Sequence, residues 1–165
     1  MPAMSDEEAT RFNRTLMEFD ELSQSILKGH LMIEEQLTAI LEHLVGGGGP
    51  VGDALDEVRL SFHQKAKLVR AAYPDGCHAD TWLGLKRLNA LRNEMVHSLH
   101  SPKIPDLIEQ LCKDVHIDPN TQPPLPPLRD SKDVQIEMFA IALIFVYGDL
   151  RKLYKQLAWR GLTNR

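Results

Sequence analysis

Hydrophobic residues recur along this chain at three- and four-residue spacing, the mark of helices that each bury one face. Ser5-Asp6-Glu7-Glu8 reads as a helix start, with serine at the N-cap, carboxylates in the first turn and Glu8 completing a capping-box pattern. Beyond it Leu16, Phe19, Ile26, Ile33, Leu37, Ile40 and Leu44 form one stripe that also contains Ser23 and His30. The pattern predicts one long helix to Val45, or two joined near Phe19-Asp20, with Gly29 as a weak point. Gly46-Gly47-Gly48-Gly49-Pro50 ends it. A second helix is predicted from Gly52 or Asp53 to Tyr73, carrying Leu55, Val58, Phe62, Ala66 and Val69 and closed by Pro74-Asp75-Gly76. A third starts near Asp80 or Thr81 and carries Trp82, Leu85, Leu88, Leu91, Met95, Val96 and Leu99. After Ser101-Pro102 comes a short amphipathic piece from Ile104 to Val115, then a segment from Pro119 to Pro127 that cannot be helical. The last helix, Lys132 to Trp159, is apolar almost all round from Val134 to Tyr147 and should be central or at an interface. No stretch alternates as a strand does, and no repeat is present. The expected fold is all-α: an up-and-down bundle of four to five helices in a single domain, 1–165, with a Gly-rich loop at 45–52 and a Pro-rich loop at 117–131.

Composition adds constraints rather than a function. With 165 residues and 43% hydrophobic content the chain can bury a core. Its net charge of −4 excludes a globally basic nucleic-acid binder, so any phosphate attraction is local. Cys77 and Cys112 form no CxxC and suit a reducing compartment. The start of the chain has no basic segment followed by an apolar one, and the longest apolar run, Met138 to Tyr147, is shorter than the roughly 20 residues a bilayer requires. A soluble, cytoplasmic protein with no membrane partner is expected. The glycine run lacks the Lys-Ser/Thr and the preceding strand of a phosphate-binding loop, so it reads as a connection.

Arg92 carries the chemical question. At roughly 100° per residue it falls in the middle of the apolar arc of the third helix, flanked by Asn89 and Asn93, with His97 one turn beyond Asn93. A guanidinium cannot lose its charge and enters such a face only where acceptors await it. Three arrangements satisfy that condition. Glu34 or Glu35 of the long helix forms a buried ion pair with it, the stem snorkels to the rim, or a polar cleft opens in which Arg92 binds a phosphate and His97 handles protons. The last would be metal-independent phosphodiester cleavage. Imidazole exchanges a proton with a ribose 2′-hydroxyl or with the leaving oxygen near neutral pH, while the guanidinium neutralises charge growing on the phosphoryl oxygens. One Arg and one His supply half of that work, and a two-fold dimer supplies the rest. Lys86 and Arg87, with Lys65, Lys67 and Arg70 on the preceding helix, are candidates for a local positive field or for an ordinary solvated face. His30, with Glu34 one turn later, is either a site neighbour or a satisfied core histidine. No H-E-x-x-H and no carboxylate cluster at ligand spacing occurs, so no metal and no cofactor are expected. Ser98 has no acidic partner that would make a triad.

With that architecture, Arg92-Asn93-Glu94-Met95-Val96-His97 resembles the R-x4-H signature of the HEPN superfamily, helical domains of prokaryotic toxins, defence systems and RNA-processing proteins. The order of "LKGHLMIEEQLTAIL" (Leu27 to Leu41), "LSFHQKAKLVRAAY" (Leu60 to Tyr73) and "LKRLNALRNEMVH" (Leu85 to His97) is similar to that of such domains, over roughly Asp20 to Leu99. The resemblance implies a homodimer formed through the motif helices and a metal-independent endoribonuclease acting as a toxin or defence effector. Arg92 and His97 would be its catalytic pair, with Asn93 orienting His97 or contacting phosphate. Lys86, Arg87, His30 and Glu34 are then the candidate substrate-binding residues, and RNA and an antitoxin or regulatory protein the implied partners. Toxins regulated by a nucleotidyltransferase antitoxin often carry Tyr two residues after the His, where this chain has Leu99. The chain is also similar to mannitol-operon-repressor-like proteins, which implies the alternative of a non-catalytic regulatory or interaction module.

Overall fold

The computed structural model describes residues 22–45, 58–97, 101–116 and 134–163, together with Thr10 and Asp53. They form five helices: α1 (Leu22–Leu44), α2 (Phe62–Ala72), α3 (Ala79–His97), α4 (Ile104–Asp114) and α5 (Val134–Thr163). The architecture is an all-α, up-and-down bundle with no strand among the described residues. The predicted helix start at Ser5, Leu16 and Phe19 of the first stripe, the loop at 46–52, Ser98, Leu99 and the Pro-rich loop lie outside the described residues.

The stripe on α1 packs as its spacing predicts, with Ile26, Ile33, Leu37 and Ile40 fully buried and His30 among them. Leu44 departs from it: at the last turn of α1 it is 39% exposed. α1 packs most extensively on α5 and also meets α2 and α3, whereas α4 is held between α3 and α5. The glycine that reads as a weak point, Gly29, lies where α1 and α5 approach closely. A Cβ there would collide with Leu143 and would sit 3.0 Å from Phe139 Cζ. Gly84 plays the same part on α3, where a Cβ would stand 2.8 Å from Val146 Cγ2 and 2.9 Å from Val115 Cγ1.

The second helix begins later than the hydrophobic pattern predicts. Val58 to Ser61 is not helical, and α2 starts at Phe62 with Ser61 as its N-cap. Ser61 Oγ accepts from the Gln64 amide at 3.4 Å, and Gln64 Oε1 accepts from the Ser61 amide at 2.8 Å. This reciprocal capping box satisfies two amides that a continuous helix would have bonded internally. α4 carries Pro105 in its first turn and ends at Asp114 with Val115 as its cap; His116 follows with a φ of 53°, the left-handed conformation that stops a helix. The apolar α5 is central as expected, burying Ile136, Phe139, Ala140, Ala142, Leu143, Val146, Leu150 and Leu153, although Val134 and Trp159 near its ends are exposed.

Candidate functional site

α3 turns Leu85, Leu88, Leu91 and Met95 into the core. Arg92 starts from the same arc but is only partly buried, and its Nη1 donates to Asn93 Oδ1 at 3.2 Å. The guanidinium therefore reaches the rim of the helix on its own apolar stem. The predicted acids do not meet it: Glu34 Oε1 accepts from Lys65 Nζ at 2.9 Å, and Glu35 is exposed. Among the described residues no carboxylate stands within ion-pair distance of Arg92. Val96, assigned to the apolar arc by its spacing, is 54% exposed. It shares the line of Leu85 three turns on, past the helices that cover Leu85.

Asn93 and His97, four apart, are neighbours on the exposed face of α3, and Lys86 lies two turns before Asn93 on the same line. The His97 side chain ends α3 with no hydrogen-bond partner among the described residues. The turn that follows is tied down by Glu94, which accepts from Ser101 Oγ at 2.6 Å and lies 3.7 Å from Lys103 Nζ. That serine hydrogen bond, with Lys103 and His97 nearby, lowers the Glu94 carboxyl below its ordinary range. Arg87 does not join this face, since its Nε donates to Asp114 Oδ2 at 2.9 Å and braces α3 against the end of α4. Lys65 is likewise committed to Glu34 and is not a free cation.

Behind Arg92 the structure gathers a second group where α1, α2 and α3 meet. His30 is 7% exposed and stacks on the Phe62 ring with centroids 4.1 Å apart. Its Nδ1 is 3.9 Å from Glu34 Oε2, and its Nε2 is buried with no hydrogen-bond partner. Burial is the main reason the imidazole binds its proton less readily than usual; Asn89 and Glu34 favour the charged ring, and Arg92 opposes it. The sequence-derived pair His30 and Glu34 is thus brought together, 3.9 Å apart, and Asn89 and Arg92 of α3 bear on the ring through its protonation.

Asp149 is the polar residue that sequence reasoning missed. Only 2% exposed on α5, it accepts from the His78 amide at 2.8 Å and from Thr81 Oγ1 at 2.7 Å. A carboxylate at the start of α3 takes up donors that the helix cannot satisfy itself. Its signal was a lone acid in an otherwise apolar stretch. Beside it, burial above all pushes the Cys77 thiol up to about 12, and burial likewise raises Cys112 to about 11, so neither is a nucleophile near neutral pH.

Among the described residues no group of three or more His, Cys, Asp or Glu side chains is placed to hold a metal ion. No helix among them is long and apolar enough to cross a membrane. A scan against models of known protein families, a search of curated proteins and a search of solved structures returned no match.

Proposed function

We propose that this protein is a metal-independent endoribonuclease of HEPN type, working as a homodimer whose two α3 ends face one cleft. The observation that carries this reading is the edge of α3. A guanidinium without a carboxylate partner, an exposed amide and, one turn further, an exposed imidazole share it. A cation set aside for internal pairing would have taken Glu34, yet that carboxylate is held by Lys65. In this reading a second copy supplies the groups that complete the site around His97.

The chemistry follows from those groups. One His97 removes the proton from a ribose 2′-hydroxyl, whose oxygen attacks the adjacent phosphorus, and the partner copy's imidazole protonates the departing 5′ oxygen. The P–O5′ bond breaks, leaving a 2′,3′-cyclic phosphate on one fragment and a 5′-hydroxyl on the other. Arg92 holds the phosphoryl oxygens as their charge grows, with its fork steadied by Asn93. Lys86, on the same face, attracts the backbone on either side. Incubating the protein in EDTA with RNA, DNA and 2′-O-methyl RNA of one sequence tests the reading. RNA alone should be cut, with cyclic phosphate ends. Cleavage of the 2′-O-methyl strand would refute attack by the 2′-hydroxyl, and no cleavage of any RNA would favour the non-catalytic module instead. A toxin or defence role, and an antitoxin or regulatory partner, belong to the same proposal.

A further inference from the structure

We infer that the last turns of α5, with the end of α1, form a binding surface for single-stranded RNA, on which Tyr154 and Trp159 stack against bases while Arg151, Lys152 and Lys155 hold the backbone. The choice of RNA rests on the proposed activity, but the surface is separate from the residues assigned to cleavage.

Helix geometry and burial build the surface. At roughly 100° per residue, Tyr154, Ala158, Arg151, Lys155, Trp159 and Lys152 follow one another around the side of α5 opposite Leu153 and Leu157, which are buried. Trp159 is 70% exposed, whereas the other tryptophan, Trp82, lies in the core. The three cations fall within about 6 Å along the helix axis, and no residue on that arc between Arg151 and Trp159 is acidic. A chain with a net charge of −4 thus concentrates a positive field here. Glu42 precedes His43 on α1 and is exposed, so the positive stretch is that of α5. Aromatic rings sit among the cations. The Arg151 guanidinium lies over the Tyr154 ring, 5.1 Å from its centroid, and the His43 ring approaches the same ring with centroids 5.6 Å apart. Flat π surfaces interleaved with cations match unpaired bases and the phosphates between them. A bilayer would require an aliphatic stripe, and Leu153 and Leu157 are turned into the core. An acidic protein segment would use the charges but not the ring faces. Thr81 bonds to Asp149 and Gly84 faces Val146, so α3 runs antiparallel to α5. Arg92 and His97 therefore lie toward the start of α5, and this surface is at the other end of the bundle, roughly 25 Å from the level of Arg92 at 1.5 Å per residue.

Fluorescence anisotropy of a labelled single-stranded 2′-O-methyl RNA, which the proposed reaction cannot cut, measures the affinity of the full-length wild type, Trp159→Ala and Lys152→Ala/Lys155→Ala. All three side chains are exposed, so the variants should keep the wild-type circular dichroism. Losing one stacked base should weaken binding at least about five-fold in Trp159→Ala. The double lysine variant should bind more weakly and flatten the slope of log K against log salt by about 1.4, from roughly 0.7 per phosphate contact on a single strand. The strand should quench tryptophan emission in wild type and leave unchanged that of Trp159→Ala, which comes from the buried Trp82. Wild-type affinity in either variant overturns the surface, and so does a duplex of the same sequence bound as tightly as the single strand. Binding to anionic phospholipid vesicles or to polyglutamate, with none to RNA, overturns it in favour of a membrane or an acidic protein. RNA held through these residues but left uncut in EDTA would sink the endoribonuclease reading alone; RNA cut by a protein whose binding ignores these substitutions would sink this inference alone.

Discussion

Gly84→Ala places the smallest perturbation where α3 has least room. The new methyl would lie 2.8 Å from Val146 Cγ2 on one side and 2.9 Å from Val115 Cγ1 on the other. Ordinary carbon contacts fall near 3.5–4.0 Å, and both valines are 1% exposed. Val146, inside α5, has one strongly preferred rotamer, and the χ1 of Val115 is restricted by its branching. Overpacking of this kind costs about 1–3 kcal/mol. Against it, alanine is about 1 kcal/mol better than glycine inside a helix. The net expectation is a loss of up to about 2 kcal/mol, or up to roughly 8 °C in Tm for a domain of this size. Urea unfolding followed by far-UV circular dichroism measures it, with an unchanged slope showing that the unfolded state is the same. Adding Val146→Ala should recover part of the loss, because the double variant removes one of the two colliding groups. A Gly84→Ala protein more stable than wild type would refute the close crossing of α3 with α5, and with it the placement of the candidate edge.

Other expectations are as direct. Asp149→Ala should cost about 2–4 kcal/mol, since it strands a buried Thr81 hydroxyl and an amide at the start of α3, and thermal unfolding will show it. Ser61→Ala should lose about 1 kcal/mol of stability by removing the capping box, and a helix that in fact continued back toward Asp53 would be indifferent to the change. The folded His30 binds protons less readily than the unfolded one, so stability falls as pH drops below about 6.5, the ordinary histidine value, and levels off once the folded ring is also charged. Comparing urea midpoints of wild type and His30→Gln across that window isolates this contribution; identical slopes would argue against a buried neutral ring. Cys77 and Cys112 should resist alkylation at mildly alkaline pH until the protein unfolds, and fast labelling of the native protein would contradict their burial.

The parts of the fold legible in the sequence are those set by periodicity within one helix. Ile26, Ile33, Leu37 and Ile40 announce a buried face by spacing alone, and His30 falls on it for the same reason. What spacing cannot show is which helix lies opposite. Gly29 and Gly84 look like weaknesses because a glycine lowers propensity, and only the partner helix reveals that each is the place where a side chain would not fit. The Ser61-x-x-Gln64 cap was present in the sequence but was outweighed by Leu55 and Val58, whose apolar character suggested a longer helix. At the candidate site, the angular position of Arg92 was readable and its reach was not. A long side chain whose Cα lies on a buried arc can still end at the rim, where Asn93 takes its proton donor. The Lys65–Glu34 pair spans 31 positions and left no local trace, yet it decides that Glu34 is unavailable to Arg92. Asp149 illustrates the same limit, since its donors lie about 70 residues earlier.

The most direct test of the central claim is the rate of RNA cleavage in EDTA by wild type, Arg92→Ala and His97→Ala, each first shown to be folded. His97 is exposed, so its removal should leave stability within about 0.5 kcal/mol of wild type. General acid–base catalysis contributes about 10²–10⁴-fold and should be lost in His97→Ala, whereas Arg92→Ala should lose the roughly 10²–10³-fold of one charge-stabilising donor. Cleavage that persists at the wild-type rate in both variants would place the chemistry elsewhere and contradict the account.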